Sequence, residues 1–265
     1  MFRYEFMLNA LYAILIITPL FGIVGTAIVN NKMAFFSDAL GHSALTGIAI
    51  GALLGITNPT ISMIIFGIVF ALLLNRIKDL KITSKDTIIS VFSSTALALG
   101  LVILSKNGNF AKFSNYLIGD ILSISASEIL ALLGIAVLIL LFWILFSNKL
   151  YAISLNPSLA KSKGINITLT ENLFIVLVAL IVMLSIRWVG ILIINSLLIL
   201  PAAASRNIAK NLRQYHLFAV IFALVSGVLG LITSYYAGIA TGPTIVLIAS
   251  VIFFATYAIR RKIGD

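Results

Sequence analysis

Long apolar runs recur along this 265-residue chain, and nothing else constrains its fold as strongly. They fall at about 7–29, 34–56, 60–75, 87–105, 128–147, 172–187, 188–204, 217–235 and 243–259. A helix needs about 20 apolar residues to cross the hydrocarbon core of a bilayer. Charged residues make up only 10% of the chain and apolar ones 61%, which excludes a soluble globular protein. Alternation of apolar and polar residues is missing from the runs, so a transmembrane β-barrel is excluded too. The expected fold is all-α and integral to the membrane: a polytopic bundle of about eight to nine transmembrane helices. Residues 1–265 read as a single transmembrane domain, with no internal repeat. The first run leads straight into Asn30-Asn31-Lys32 without a small-residue cleavage site, so it reads as the first helix and not as a removed signal.

The stretch 172–205 would be about 50 Å long as one helix at 1.5 Å per residue. It must turn, and Arg187-Trp188 is the expected break. A bend in place of a turn would change the count to eight or ten. Formal net charge is +10. In such a chain that excess reads as cytoplasmic loop bias, with no nucleic-acid partner implied. With the N-terminus outside, the inner segments collect Lys32, then Arg76, Lys78, Lys81 and Lys85, then Lys149, Lys161 and Lys163. They also hold Arg206, Lys210 and Arg213, and finally Arg260, Arg261 and Lys262. Only Arg3, Lys106, Lys112 and Arg187 fall outside. The outer loop 106–127 contains Tyr116-Leu117-Ile118, suited to a short interfacial or re-entrant helix. The inner loop 148–171 contains a second short helix. Asn156 would cap it, Pro157 would take its first position, and Gly164 would end it.

Asp38 and His42 are the chemistry-bearing pair. Four residues apart, they share a helix face within an otherwise apolar segment. A carboxylate at the centre of a span costs about 2.5–3.5 kcal/mol on insertion scales, so it calls for a partner or a function. Carboxylate and imidazole together are ligands for Zn²⁺, Mn²⁺ or Fe²⁺. The alternative is a local hydrogen bond between the two. One Asp and one His cannot close a site, but a symmetric dimer with this helix near its axis would bring four N/O ligands together. The same segment carries Gly47, Gly51 and Gly55 at four-residue spacing, which suits close helix packing within the monomer or at a subunit interface. Ser226, Gly230 and Ser234 repeat that spacing. Asn195, Ser196 and Pro201 read as packing residues, and His216 as an interfacial histidine in an inner loop. Cysteine is absent, which excludes disulfides, thiolate metal sites and thiol catalysis within this chain. No Gly is followed by Lys, so the chain has no Walker A loop, and H-E-x-x-H is missing as well.

Three stretches resemble the ABC-3 family of permease subunits, found in bacterial ABC importers of zinc, manganese or ferrous iron. The first is Met33 to Ala49, with Asp38, Ala39 and His42 standing at the family's Asp-Ala-x-x-His core. The second is Leu155 to Ile165, similar to the family's cytoplasmic coupling segment. The third is Val189 to Ala204, similar to its Val-Gly-x-Leu-Leu…Pro-Ala-Ala run. One departure is Asn156, where relatives often carry Asp. The resemblance implies a permease of the bacterial plasma (inner) membrane that pairs with a second copy. It implies separate cytoplasmic ATPase subunits gripping Asn156, Pro157, Ala160 and Gly164, and an extracytoplasmic metal-binding protein docking outside. Asp38 and His42 would be a transient metal station for Zn²⁺ or Mn²⁺, with no tightly bound cofactor and no catalytic residue in this chain. A stand-alone secondary transporter or channel is the alternative, but it would need charged residues deep in several spans. An intramembrane protease would need Ser and His on two helices, and His42 and Ser43 are adjacent.

Overall fold

A computed structural model describes residues 4–77, 84–106 and 110–264. Arg3, Lys78 and Lys81 of the charge pattern lie outside the described residues. The described chain is helical, in the order α1 (Glu5–Asn30), α2 (Ala34–Leu53), α3 (Pro59–Ile77), α4 (Lys85–Lys106), α5 (Phe110–Phe113) and α6 (Asn115–Ile118). A 3₁₀ turn at Ile121–Ser123 precedes α7 (Ala126–Leu155), α8 (Pro157–Ser162), α9 (Ile167–Val189), α10 (Ile191–Ile208), α11 (Leu212–Ala237) and α12 (Thr241–Gly264). Among the described residues, eight helices are long and apolar enough to cross a membrane: α1, α3, α4, α7 and α9 to α12. The ninth long helix, α2, carries Asp38 and His42 and is not among the eight.

The turn within 172–205 comes at Gly190, not at Arg187-Trp188. Gly190 adopts φ +93°, a conformation that glycine tolerates and side-chain-bearing residues resist, and its N–H still reaches the Ile186 carbonyl at 2.8 Å. Arg187 is exposed within the last turn of α9, and Trp188 is buried. Helix α7 also runs further than the apolar pattern of 128–147, continuing through Ser147, Asn148 and Lys149 to Leu155. Outside the hydrocarbon core a helix can go on with polar residues, so hydropathy understates its length. Between α4 and α7 the described residues form the short helices α5 and α6 and the 3₁₀ turn.

The chain divides into two compact units. One comprises 1–32, 119–145 and 195–265; the other comprises 33–118 and 146–194. The division runs through α7 and α10.

In the first unit α1 packs antiparallel on α11, which packs on α12. Small residues set the spacing. A Cβ on Gly22 would lie 2.8 Å from the Ala219 carbonyl oxygen, and one on Gly25 would collide with the Leu198 carbonyl. Gly227 sits against Ile14 and Thr18 of α1, and Gly230 against Ile245 of α12. Ser234 shares a 3.0 Å hydrogen bond with Thr241 where α11 passes into α12. At the opposite end of α11, the Ser205 hydroxyl donates to the Tyr215 carbonyl at 2.6 Å, and Tyr215 donates to the Thr26 carbonyl at 3.3 Å.

In the second unit α2 is the central helix, in contact with α3, α4 and α9. Gly47 faces the Met63 backbone and Phe66, and Gly51 faces Ser62, all on α3. Gly55 lies beyond the end of α2 at φ +71° with open space around it. Gly100 of α4 backs onto Leu45 and Thr46, while the Thr46 hydroxyl donates across to the Ala96 carbonyl. Helices α3 and α9 meet through Gly67 against Met183, and through the Asn75 amide donating to Asn172 at 2.7 Å.

Gly100→Ala tests this spacing, because its Cβ would sit 2.7 Å from the Thr46 backbone nitrogen. Overpacking costs about 1–3 kcal/mol, so the variant unfolds at lower temperature in detergent. Gly134→Ala, an exposed position on α7 with nothing within 4 Å of the added atom, keeps or slightly raises that midpoint.

Candidate metal station and coupling helix

Asp38 and His42 lie on successive turns of α2, with the Asp38 carboxylate 3.6 Å from His42 Nε2. Their side chains are partly open, at 44% for Asp38 and 28% for His42. The residues around them on α2 are buried: Ser37, Ala39, Leu40, Gly41, Ser43 and Ala44. Gly41 lies against the Ile191 carbonyl and Ile194. The pair thus projects from an otherwise enclosed helix into a cleft of about 200 Å³, whose other wall is α4. Ser90, Ser93 and Ser94 of α4 line that wall, with Phe35, Ile89 and Leu97 as the apolar remainder. The sequence reading did not single out these serines. Their signal is a polar stripe at i, i+3 and i+4 within a helix apolar enough to span.

Among the described residues no group of three or more His, Cys, Asp or Glu side chains converges on one point. The chain therefore brings two strong donor groups, one carboxylate and one imidazole, to this cleft. The i, i+4 spacing allows both the local hydrogen bond and a shared cation, since each group keeps an open side.

The segment that the family resemblance marks for coupling folds as helix α8. Asn156 has extended backbone, and its side-chain oxygen accepts from the Leu159 N–H at 3.0 Å. Pro157 occupies the first helical position, where its missing N–H costs nothing. Gly164 takes φ +78°, and the Ile165 N–H returns to the Ala160 carbonyl at 3.1 Å, closing the C-terminus. Ala160 is buried, and α8 contacts α9. Leu155 at the end of α7 and Leu159 of α8 are exposed, at 85% and 54%, so this segment presents apolar side chains outward.

His216 lies in the second turn of α11 and not in a loop. Its Nδ1 is 2.9 Å from the Thr26 hydroxyl, and its ring meets the edge of Trp143 at a centroid distance of 5.3 Å. It ties α11 to α1 within the first unit and lies in the other unit from Asp38 and His42. The Asn195 backbone begins the first unit's portion of α10, and Pro201 sits inside that helix.

Eight helices long and apolar enough to span among the described residues, a cleft between α2 and α4, and a capped short helix between two spans define a polytopic helical membrane protein. The model of the ABC 3 transport family matches residues 3–260, and the chain belongs to that family. It is 32% identical over 262 residues to the high-affinity zinc uptake system membrane protein ZnuB of Haemophilus influenzae, covering 98% of this chain and all of that one. It is 31% identical over 259 residues to the manganese import system permease protein ScaB of Streptococcus gordonii, covering 98% of this chain and 93% of that one. The solved structure of PsaBC from Streptococcus pneumoniae in complex with Fab superposes with a TM-score of 0.85 at 30% identity, covering 96% of this chain and 92% of that one.

Loss of the cap is directly measurable. Asn156→Ala removes the bond to Leu159, which costs about 1 kcal/mol, and backbone amides of 158–162 exchange faster with deuterium. Asn156→Asp, which keeps an acceptor at the same position, exchanges like the wild type.

Proposed function

We propose that the chain is the membrane-spanning permease subunit of an ATP-driven importer of divalent transition-metal ions, with Zn²⁺ or Mn²⁺ as cargo. Family membership supports the transporter class. The likeness to a zinc uptake protein and to a manganese import permease supports the cargo class. The observation that carries the reading is the partly open Asp38–His42 pair, facing a polar cleft from a helix otherwise shielded by α3, α4 and α9. In this reading two copies pair, and each contributes one carboxylate and one imidazole to a four-donor station.

The charges within the first unit support an orientation. Its described carboxylates, Glu5, Asp120 and Glu128, lie where α1 and α7 begin, beside the 3₁₀ turn; Asn9 there donates to the Ile124 carbonyl at 3.4 Å. Its described cations, Lys32, Arg206, Lys210, Arg213 and Arg260, lie at or near the opposite ends of the helices. The positive-inside rule puts the cationic end in the cytoplasm. Within the second unit, Lys149, Lys161 and Lys163 flank or lie in α8, and the same rule puts α8 on the cytoplasmic side. There Leu155 and Leu159 offer apolar anchors to a separate ATPase subunit, with Lys161 and Lys163 beside them. Movement of α8 passes to α9, which it contacts, and from α9 to α2 and α3. ATP-driven displacement of α8 thereby biases which side of the membrane the Asp38–His42 cleft faces. An extracytoplasmic binding protein delivers the cargo to the acidic side.

Asp38→Ala and His42→Ala each bring uptake of the cargo metal by metal-starved cells to background, while the protein reaches the membrane at its normal level. Near-normal uptake in both would sink the station. Ala160→Glu forces a charge into the buried face of α8, so ATP hydrolysis by the assembled transporter persists while uptake falls. If hydrolysis and uptake stay coupled in that variant, α8 is not the coupling element.

A further inference from the structure

Serines and threonines inside helices commonly return their hydroxyl to a carbonyl one turn back. This chain follows the habit at Ser37 onto Ala34, Ser43 onto Leu40, Ser62 onto Pro59, Ser226 onto Phe222 and Thr244 onto Ala240. Ser90, Ser93 and Ser94 of α4 break it. No hydrogen bond joins any of their hydroxyls to a described residue, and all three line the cleft that holds Asp38 and His42. Ser90 and Ser94 are exposed on a helix apolar enough to span the membrane. A hydroxyl facing lipid without a partner is costly, and the cost disappears if that face meets water.

We infer that Ser90, Ser93 and Ser94 form the second wall of the cargo path, hydrogen-bonding the waters of the divalent cation held at Asp38 and His42. This inference rests on the reading of those two residues as the station. Until the second copy's pair joins them, this chain's two donor groups leave most of a metal ion's coordination positions to water. Each bound water is a strong donor, and a hydroxyl accepts from it while still donating to a neighbour. Three hydroxyls at i, i+3 and i+4 give the water shell a row of acceptors across the cleft from the carboxylate. The wall also sets preference. Oxygen-rich surroundings suit Mn²⁺, whereas imidazole suits Zn²⁺, so the α4 hydroxyls widen the path's acceptance from zinc toward manganese.

The absence of cysteine from the chain makes the test readable, because a thiol introduced is the only one in this chain, and labelling is read on the isolated chain. In the complete transporter in its own cells, Ser94→Cys is modified by a membrane-impermeant thiol reagent, and added Mn²⁺ or Zn²⁺ slows the modification. A thiol that does not react in cells or in inverted membrane vesicles overturns the water-lined path; a reaction indifferent to metal overturns the contact with cargo. Uptake gives the second readout. Ser90→Ala/Ser93→Ala/Ser94→Ala lowers the manganese-to-zinc uptake ratio about tenfold, the loss of roughly one hydrogen bond to a charged group. Ser90→Thr/Ser94→Thr, which keeps both exposed hydroxyls, stays near the wild-type ratio. Equal loss of both metals, or an unchanged ratio with Asp38→Ala inactive, overturns the hydroxyl wall while leaving the station standing. Full uptake by Asp38→Ala overturns the station itself, and the hydroxyl wall with it.

Discussion

A carboxylate and an imidazole can belong to a membrane protein's interior only if other helices keep lipid away from the element that carries them. That constraint organises the second unit. Helix α2 is not apolar enough to rank with the eight spanning helices, and it does not need to be, because α3, α4 and α9 surround it. Most of its residues are buried in protein, including Ser37, Ser43 and Thr46. Their hydroxyls are satisfied by carbonyls of α2 itself or, for Thr46, of α4. Asp38 and His42 then open onto the cleft that Ser90, Ser93 and Ser94 of α4 also line.

Enclosure of that kind demands helices close enough to exclude lipid, and glycine supplies the approach. Water provides no hydrophobic drive between helices in a bilayer, so contact area and hydrogen bonds must hold them together. Gly100 brings α4 onto the backbone of Leu45 and Thr46, one turn beyond His42, and the Thr46 hydroxyl reaches the Ala96 carbonyl across the gap. The cleft exists because this tight seam ends before Asp38: where α4 carries Gly100 the helices touch, and where it carries Ser90 to Ser94 they leave space. Gly47 and Gly51 perform the same service toward α3, which makes that part of the stripe a contact within one chain.

Local rules made α8 legible from the sequence, because every determinant lies within ten residues: Asn156 caps, Pro157 starts, Gly164 ends. Pairing of Asp38 with His42 on one face was legible for the same reason. The turn at Gly190 was not, because polarity is a poor sign of a break when the backbone needs φ > 0. Arg187 stays helical at the exposed end of α9, and the neighbouring glycine makes the corner. His216 was misplaced because a helix that begins with polar residues looks like a loop in a hydropathy profile; Thr26, 190 positions away, decides its surroundings. The Ser90–Ser94 row went unnoticed because its meaning depends on which helix it faces, and no local pattern encodes that.

On the proposed reading, the weakness of the Asp38–His42 pair as a metal site is what suits it to moving cargo. A resident structural metal takes four protein ligands in a closed shell, whereas in the proposed path one copy's two donor groups, with open sides, hold a cation loosely and leave water in its remaining positions until the second copy's pair joins. Conduction and alternating access both need binding strong enough to admit the ion and weak enough to release it. Strengthening the site with further carboxylates would also add charge to a helix that tolerates little of it. Hydroxyls add oxygen donors without charge, so a row of them opposite the pair lets the path guide a hydrated ion without trapping it.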